Sequence, residues 1–517
     1  LFGQLLERFP NSPYAVTAGE LILESFNRAR DYQNIETWAR RLKDSPAFQT
    51  EESQRRLDAL ILTAVFATGE QLAGRGEHAD AADSYLRAAR EFPRDERTPQ
   101  AYFNAGLEYQ ADGNLGGAAS AYDQLIDNHA GSEIGARGAW NGAQMYESIA
   151  QFSDAARFYE RYAEHFPNGD QAEDALYNAT LLRVTAGESG PAVQNGERFL
   201  ERHGRSEAAT EVTFLIAQAH ASAESWNEAA QVYRRFIRRT RDSNRQIEAN
   251  TRMAEALTRA GDTRGAASAL NQAVRLARRR RNQLNETGLY YAAQARFRQA
   301  EGILAEYEAI QIAGPMDSLR QRLERKSELL RRAAEAFADV VQFQVAEYVT
   351  AALFQIGRSY ELYAEGLRDT PTPEGLSEEE EMAYFDQLSS FVIPIEERAL
   401  EAYEGGYQTA LELRIFNRWT AQLREGLTRL NDVQYPPLRE MGGDITDGAA
   451  IPMPQPLDGL RRGEPEAAPA EREAAPTGGA AAADEAEEPE AEEAPPSARE
   501  RRRARRRRQR SRQRRRR

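Results

Sequence analysis

The sequence has no cysteine. Disulfides, thiolate nucleophiles and cysteine-bearing zinc sites are therefore excluded. The absence suits a periplasm or a cytoplasm and chooses neither. Lysine occurs only at Lys43 and Lys326, so arginine carries nearly all the positive charge, as in a GC-rich bacterial genome. No run of about 18 apolar residues is present, which excludes a membrane-spanning helix within the sequence. Catalytic signatures are missing as well: there is no P-loop, HExxH, GxSxG or GxGxxG. The five histidines, His78, His129, His165, His203 and His220, lie too far apart for a helical ligand pair, so neither a metal nor a cofactor is expected. The Gly442–Gly448 stretch lacks the distal Glu and the spacing of a cation loop and reads as linker.

Aromatic residues are plentiful, with 21 Tyr, 20 Phe and 4 Trp in 517 residues. Their placement is periodic. Ala81, Ala118, Ala155, Ala192, Ala229 and Ala266 recur every 37 residues. Four residues on stand Tyr85, Tyr122, Tyr159, Gly196, Tyr233 and Leu270; spacings of four and three share one helical face. A preceding helix carries small residues at Gly69, Gly106, Ala143, Ala217 and Ala254, where two helices must approach closely. Pro93 and Pro167 close units, since proline blocks the preceding helical turn. Each unit is thus two antiparallel helices that cannot bury their apolar face alone, and stacked units wind into a solenoid with a concave side. The expected fold is an all-α solenoid of 37-residue helix pairs. Six units span 60–285, partial units precede them over 1–59, and a helical cap follows over 286–435. The opening Leu1 to Pro10 reads as the second half of a repeat, so further sequence upstream, with any targeting signal or lipid anchor, is expected.

Gly106, Tyr109, Gly113, Ala118, Tyr122 and Leu125 in one unit, and Ala143, Tyr146, Phe152, Ala155, Tyr159 and Pro167 in the next, resemble the tetratricopeptide family. The period departs from that family's usual 34 by three. The longer turn Arg8 to Ala15 is similar to the bacterial cell-envelope branch, which includes periplasmic Tol-Pal coordinators and outer-membrane assembly lipoproteins. Leu353 to Ala364, Thr370 to Ser377 and Phe416 to Trp419 look like large tetratricopeptide proteins of myxobacteria and their relatives. The resemblance implies a non-enzymatic scaffold that binds protein or peptide partners on its concave surface, in the periplasm of a cell envelope. The alternative is a cytoplasmic scaffold tethered to nucleic acid or another anionic surface by its C-terminal arginines.

Phe66, Phe103, Trp140, Tyr177 and Phe214 form an aromatic ladder at the same 37-residue spacing, three residues before the small position. In the tetratricopeptide family that position faces the groove. A binding ladder should leave most rungs partly exposed for a peptide; a packing ladder should bury them all.

Beyond the repeats the spacing predicts helices over 290–312, 318–345, 350–367, 395–413 and 417–430. Ser377 and Glu380 form a capping box, and Pro394 is expected to interrupt. Residues 436–498, rich in Ala, Glu and Pro towards their end, read as a disordered linker that buries too little apolar surface to order. Arg499 to Arg517 hold 14 Arg and one Glu. This tail fits self-association with an acidic body, contact with an anionic membrane or envelope polymer, or nucleic acid. The lack of interleaved aromatics argues against base stacking.

Overall fold

The computed structural model describes residues 1–312, 316–370, 372–373 and 375–437. The expected linker from 438 onward and the Arg499–Arg517 tail lie outside the described residues. Leu1–Leu438 form one unit built of twenty α-helices, with no strand among the described residues. None of its helices is long and apolar enough to cross a membrane.

Three helices, α1 (Phe2–Arg8), α2 (Ala15–Arg28) and α3 (Tyr32–Lys43), lead into six regular pairs: α4/α5 (Glu51–Gly74, His78–Glu91), α6/α7 (Thr98–Ala111, Leu115–Asn128), α8/α9 (Glu133–Ser148, Phe152–His165), α10/α11 (Ala172–Thr185, Ser189–His203), α12/α13 (Ala209–Ser222, Trp226–Arg239) and α14/α15 (Ser243–Arg259, Thr263–Arg280). Each helix packs chiefly on its neighbours in the chain.

The periodic alanines all lie on second helices and are buried, as are Tyr85, Tyr122, Tyr159 and Tyr233 one turn later. The small residues of the first helices exist because those rings lie on them. A Cβ on Gly69 would stand 2.8 Å from the Tyr85 ring, and one on Gly106 would meet Tyr122 closer still. Where the tyrosine is replaced by Gly196, Ile216 of the next first helix fills the space.

The turn joining the helices of a pair has its own beat. Gly76, Gly113, Ala150, Gly187, Glu224 and Gly261, spaced by 37, all have positive φ, between 56° and 83°. Glycine adopts this left-handed conformation without a Cβ penalty, and four of the six positions hold it. The turn between pairs is tied by side chains: the Thr98 hydroxyl donates to the Phe92 carbonyl.

First helices of successive pairs also touch one another, so they form the inner layer. These closer contacts fall at alternate junctions, α6 with α8, α10 with α12, and α14 with α16 (Glu286–Glu308).

After α16 the chain forms α17 (Met316–Val341), α18 (Ala346–Arg368), α19 (Glu378–Glu412) and α20 (Arg418–Leu430). Phe297, Tyr307, Phe337 and Tyr348 build one core there; Tyr403, Leu423 and Leu427 build another. Glu361 is buried among Arg358, Arg429 and Tyr403, with Arg429 Nε donating at 2.8 Å. The Ser377–Glu380 capping box is present, the Ser377 amide donating to Glu380 Oε2 at 2.9 Å.

One expectation is corrected. Pro394 does not interrupt, and α19 runs through it for 35 residues. The amide that proline removes would have bonded the Ser390 carbonyl, and Ser390 is exposed, so water can satisfy that group. Val392 and Ala399, buried on either side, hold the helix to the body.

Candidate functional site

The aromatic ladder lies on the first helices α4, α6, α8, α10 and α12, one rung each, on the inner layer. Each rung except Tyr177 meets the tyrosine nineteen residues later, on the second helix of its own pair. Ring centroids are 5.5 Å apart for Phe66–Tyr85, 6.1 Å for Phe103–Tyr122, 5.1 Å for Trp140–Tyr159 and 5.6 Å for Phe214–Tyr233. Tyr177 has no such partner because Gly196 stands there.

The rungs divide by exposure. Phe103 and Phe214 are closed, at 3% and 2%, whereas Phe66, Trp140 and Tyr177 are half-buried. Arginines from the next pair accompany the closure. The Arg137 guanidinium sits 4.6 Å from the Phe103 ring centre, and Arg245 sits 4.0 Å from that of Phe214. Cation–π contact of this kind holds the guanidinium over the ring face. Arg245 is itself fixed by Glu211 and Glu248, each at 2.6 Å, and Glu248 also binds Arg252 at 3.0 Å. This polar mesh continues to Tyr291 on α16, whose hydroxyl accepts from Arg252.

Beside three rungs runs a second series that the sequence reading missed: Asn104, Asn141 and Asn178, half-buried and one residue after Phe103, Trp140 and Tyr177. They stand against the hydroxyls of Tyr85, Tyr122 and Tyr159 of the preceding pairs. Burial pushes the Tyr85 hydroxyl up to about 12, helped by Glu70 and Glu108 and opposed by Asn104. Burial likewise raises Tyr122 to about 12, and among the described residues that hydroxyl finds no hydrogen-bond partner although Asn141 is beside it. Tyr159 is raised by burial and by its 3.0 Å bond to Glu147. All three therefore stay neutral across the physiological range. The signal that marks the asparagines is the 37-residue step, one position off the ladder. At the next step Leu215 replaces Asn, in the place where Gly196 has replaced Tyr.

Among the described residues no group of three acidic or histidine side chains is placed to hold a metal ion. His129, His165 and His203 pack against the rings of Tyr102, Phe166 and Phe199. A cleft of about 350 Å³ between α14, α15 and α16 is lined by Thr251, Glu255, Arg259, Gln294, Arg298 and Glu301. Two glutamates and two arginines share its lining, with Arg298 donating to Glu301 at 3.2 Å.

Paired antiparallel helices, a small residue under each tyrosine, and glycine-type turns define an α-solenoid of repeated helix pairs. No family model matches the chain, and no curated protein does. Solved structures give low scores. The MamA protein is 14% identical with a TM-score of 0.27, over 37% of this chain and 98% of its own. YrrB, described as a TPR protein with an unusual peptide-binding site, is 16% identical at 0.26, over 38% and 93%. A tetratricopeptide repeat protein from Parabacteroides merdae is 17% identical at 0.24, over 58% and 98%.

Proposed function

We propose that this tetratricopeptide-type solenoid is a non-enzymatic scaffold that holds an extended peptide segment of a partner protein along its inner layer. The observation that carries the reading is the pairing of half-open rungs with amides. Trp140 with Asn141, and Tyr177 with Asn178, offer a rigid aromatic face next to a side chain that donates and accepts. Aromatic faces give contact area at low entropic cost. Amides at one-pair intervals match a peptide backbone, which presents donors and acceptors at regular intervals. Closed Phe103 and Phe214 belong to the packing of the solenoid in this reading. Placement in a bacterial cell envelope is part of the proposal and rests on the likeness of the Arg8–Ala15 turn to that branch of the family.

The test is selection of a binding peptide from a random library on the full chain, followed by titration. Trp140→Ala and Tyr177→Ala should each weaken the selected peptide tenfold or more, with little change in melting temperature. Phe214→Ala should instead cost about 3–5 kcal/mol of stability. Peptides whose affinity ignores Trp140, Tyr177 and the three asparagines would refute the assignment.

A further inference from the structure

Helix α19 outruns the helix it packs on. α18 ends at Arg368, which bonds Glu396 of α19 at 2.6 Å, and further into the pair Tyr403 meets Glu361. Residues 378–395 therefore extend past the end of α18 as an arm, about 27 Å of helix at 1.5 Å per residue. None of residues 378–391 is buried. The packing stripe nevertheless continues along them. Val392, Ala399, Tyr403 and Ala410 bury it against the body, and Tyr384, Phe385, Leu388 and Phe391 prolong it at steps of three and four. Met382, Phe385 and Phe391 are exposed, and the Tyr384 and Phe385 rings meet edge to face at 5.6 Å. An exposed apolar stripe rimmed by charge is the mark of a docking surface.

The rim says what covers it. Glu378, Glu379, Glu380, Glu381 and Asp386 surround the stripe, and no Lys or Arg occurs between Arg368 and Arg398. The arm therefore suits a basic surface, and the solenoid carries one. Residues 234–281 contain fourteen arginines and four acidic residues, a formal +10. Arg234, Arg235 and Arg238 on α13, Arg241 just past it, and Arg275 and Arg279 on α15 are all exposed. Among the described residues none of these six makes an ion pair, in contrast to Arg278, which reaches Asp339 at 2.8 Å. Arg238 and Arg275 stand one 37-residue step apart, at equivalent places on successive second helices. The band thus spans about 8–10 Å from helix to helix and about 10 Å along α13. The acidic stretch Glu378 to Asp386 is about 13 Å long, so the two charged areas match in size as well as in sign.

We propose that the apolar, acid-rimmed arm of α19 docks on the basic band of a second copy of this chain. Its carboxylates pair with guanidinium groups. Phe385 and Phe391 take guanidinium faces and aliphatic arginine stems, which cover apolar surface while the charge stays in water. Within one molecule the two do not meet, because the arm buries no residue from 378 to 391 and the six band arginines pair with no acid. Arm and band are different surfaces, so the contact is heterologous. Each added copy leaves one free arm and one free band, and copies join head to tail.

Sedimentation of the full-length protein tests this. Association should grow with concentration and weaken in about 1 M salt, where the screening length falls to about 3 Å. An arm variant, Glu378→Gln, Glu379→Gln, Glu381→Gln and Asp386→Asn together, should associate at least tenfold more weakly. So should a band variant, Arg235→Gln, Arg238→Gln, Arg275→Gln and Arg279→Gln. All eight side chains are exposed, so melting temperatures should not move. Phe391→Ser, with every charge in place, should weaken association as well. Mixed together, the arm variant supplies an intact band and the band variant an intact arm, and the mixture should form pairs and nothing longer. Association that survives either set of changes would overturn the proposal. So would loss in the arm variant alone, which would mean that arms pair with arms, or single losses that mixing does not restore. Absence of association, with tenfold weaker duplex DNA binding by the band variant, would assign the band to nucleic acid and overturn it equally.

Discussion

The turn inside each helix pair allows a backbone effect to be separated from packing. Ala150 and Glu224 occupy the left-handed conformation, at φ +57° and +56°, where Gly113 and Gly187 stand in neighbouring pairs. A left-handed L-residue costs about 1–2 kcal/mol through its Cβ. Glycine returns about 0.5–1 kcal/mol of that through its freer unfolded chain. Ala150→Gly and Glu224→Gly should therefore each stabilise their pair by about 0.5–1 kcal/mol. The reverse changes, Gly113→Ala and Gly187→Ala, should destabilise by a similar amount. No steric term confuses the comparison, because a Cβ at Gly113 or Gly187 meets nothing within 4 Å. Solenoid stability is a sum over neighbouring units, so amide hydrogen exchange is the suitable assay. Protection should rise in α8 and α9 for Ala150→Gly and fall in α6 and α7 for Gly113→Ala. Destabilisation by Ala150→Gly, or a silent Gly113→Ala, would refute the reasoning.

Two further outcomes are expected. Gly106→Ala drives a methyl into the fully buried Tyr122 ring, so urea unfolding should show a loss of about 1–3 kcal/mol, and a second change, Tyr122→Leu, should recover part of it. Glu361 is held below the usual carboxylate range: burial acts to raise it, but bonds from Arg429, Tyr403 and Arg358 outweigh burial. Its stabilisation is thus present above the unfolded value of about 4.3 and is lost as pH falls through the lower folded value. Glu361→Gln should cost about 1–3 kcal/mol at neutral pH and flatten the acid dependence of α18–α20, measured by exchange; an unchanged acid profile would count against the assignment.

The helix pairs were legible because one short residue and one ring, sixteen apart as in Gly106 and Tyr122, coincide in four of the six units. The capping box at Ser377 was legible because it is local. Pro394 was not, because its effect depends on whether Ser390 faces water, which is a property of the packed helix. The openness of the ladder was hidden for a similar reason. Arg137 follows Phe103 by 34 residues and Arg245 follows Phe214 by 31, so the closing residues do not share the repeat's own register. The asparagine series was present at the right spacing, but its meaning depends on hydroxyls contributed by the preceding unit.

The alternation of contacts in the inner layer has a mechanical consequence. Joints at α6–α8, α10–α12 and α14–α16 are closely packed and the intervening ones are less so. At the intervening junctions the second helix of one pair takes over the contact, α5 on α6, α9 on α10 and α13 on α14, so the load passes between the two layers from one junction to the next. Trp140 and Tyr177 sit on opposite sides of the α8–α10 junction, which is held mainly by α9 on α10.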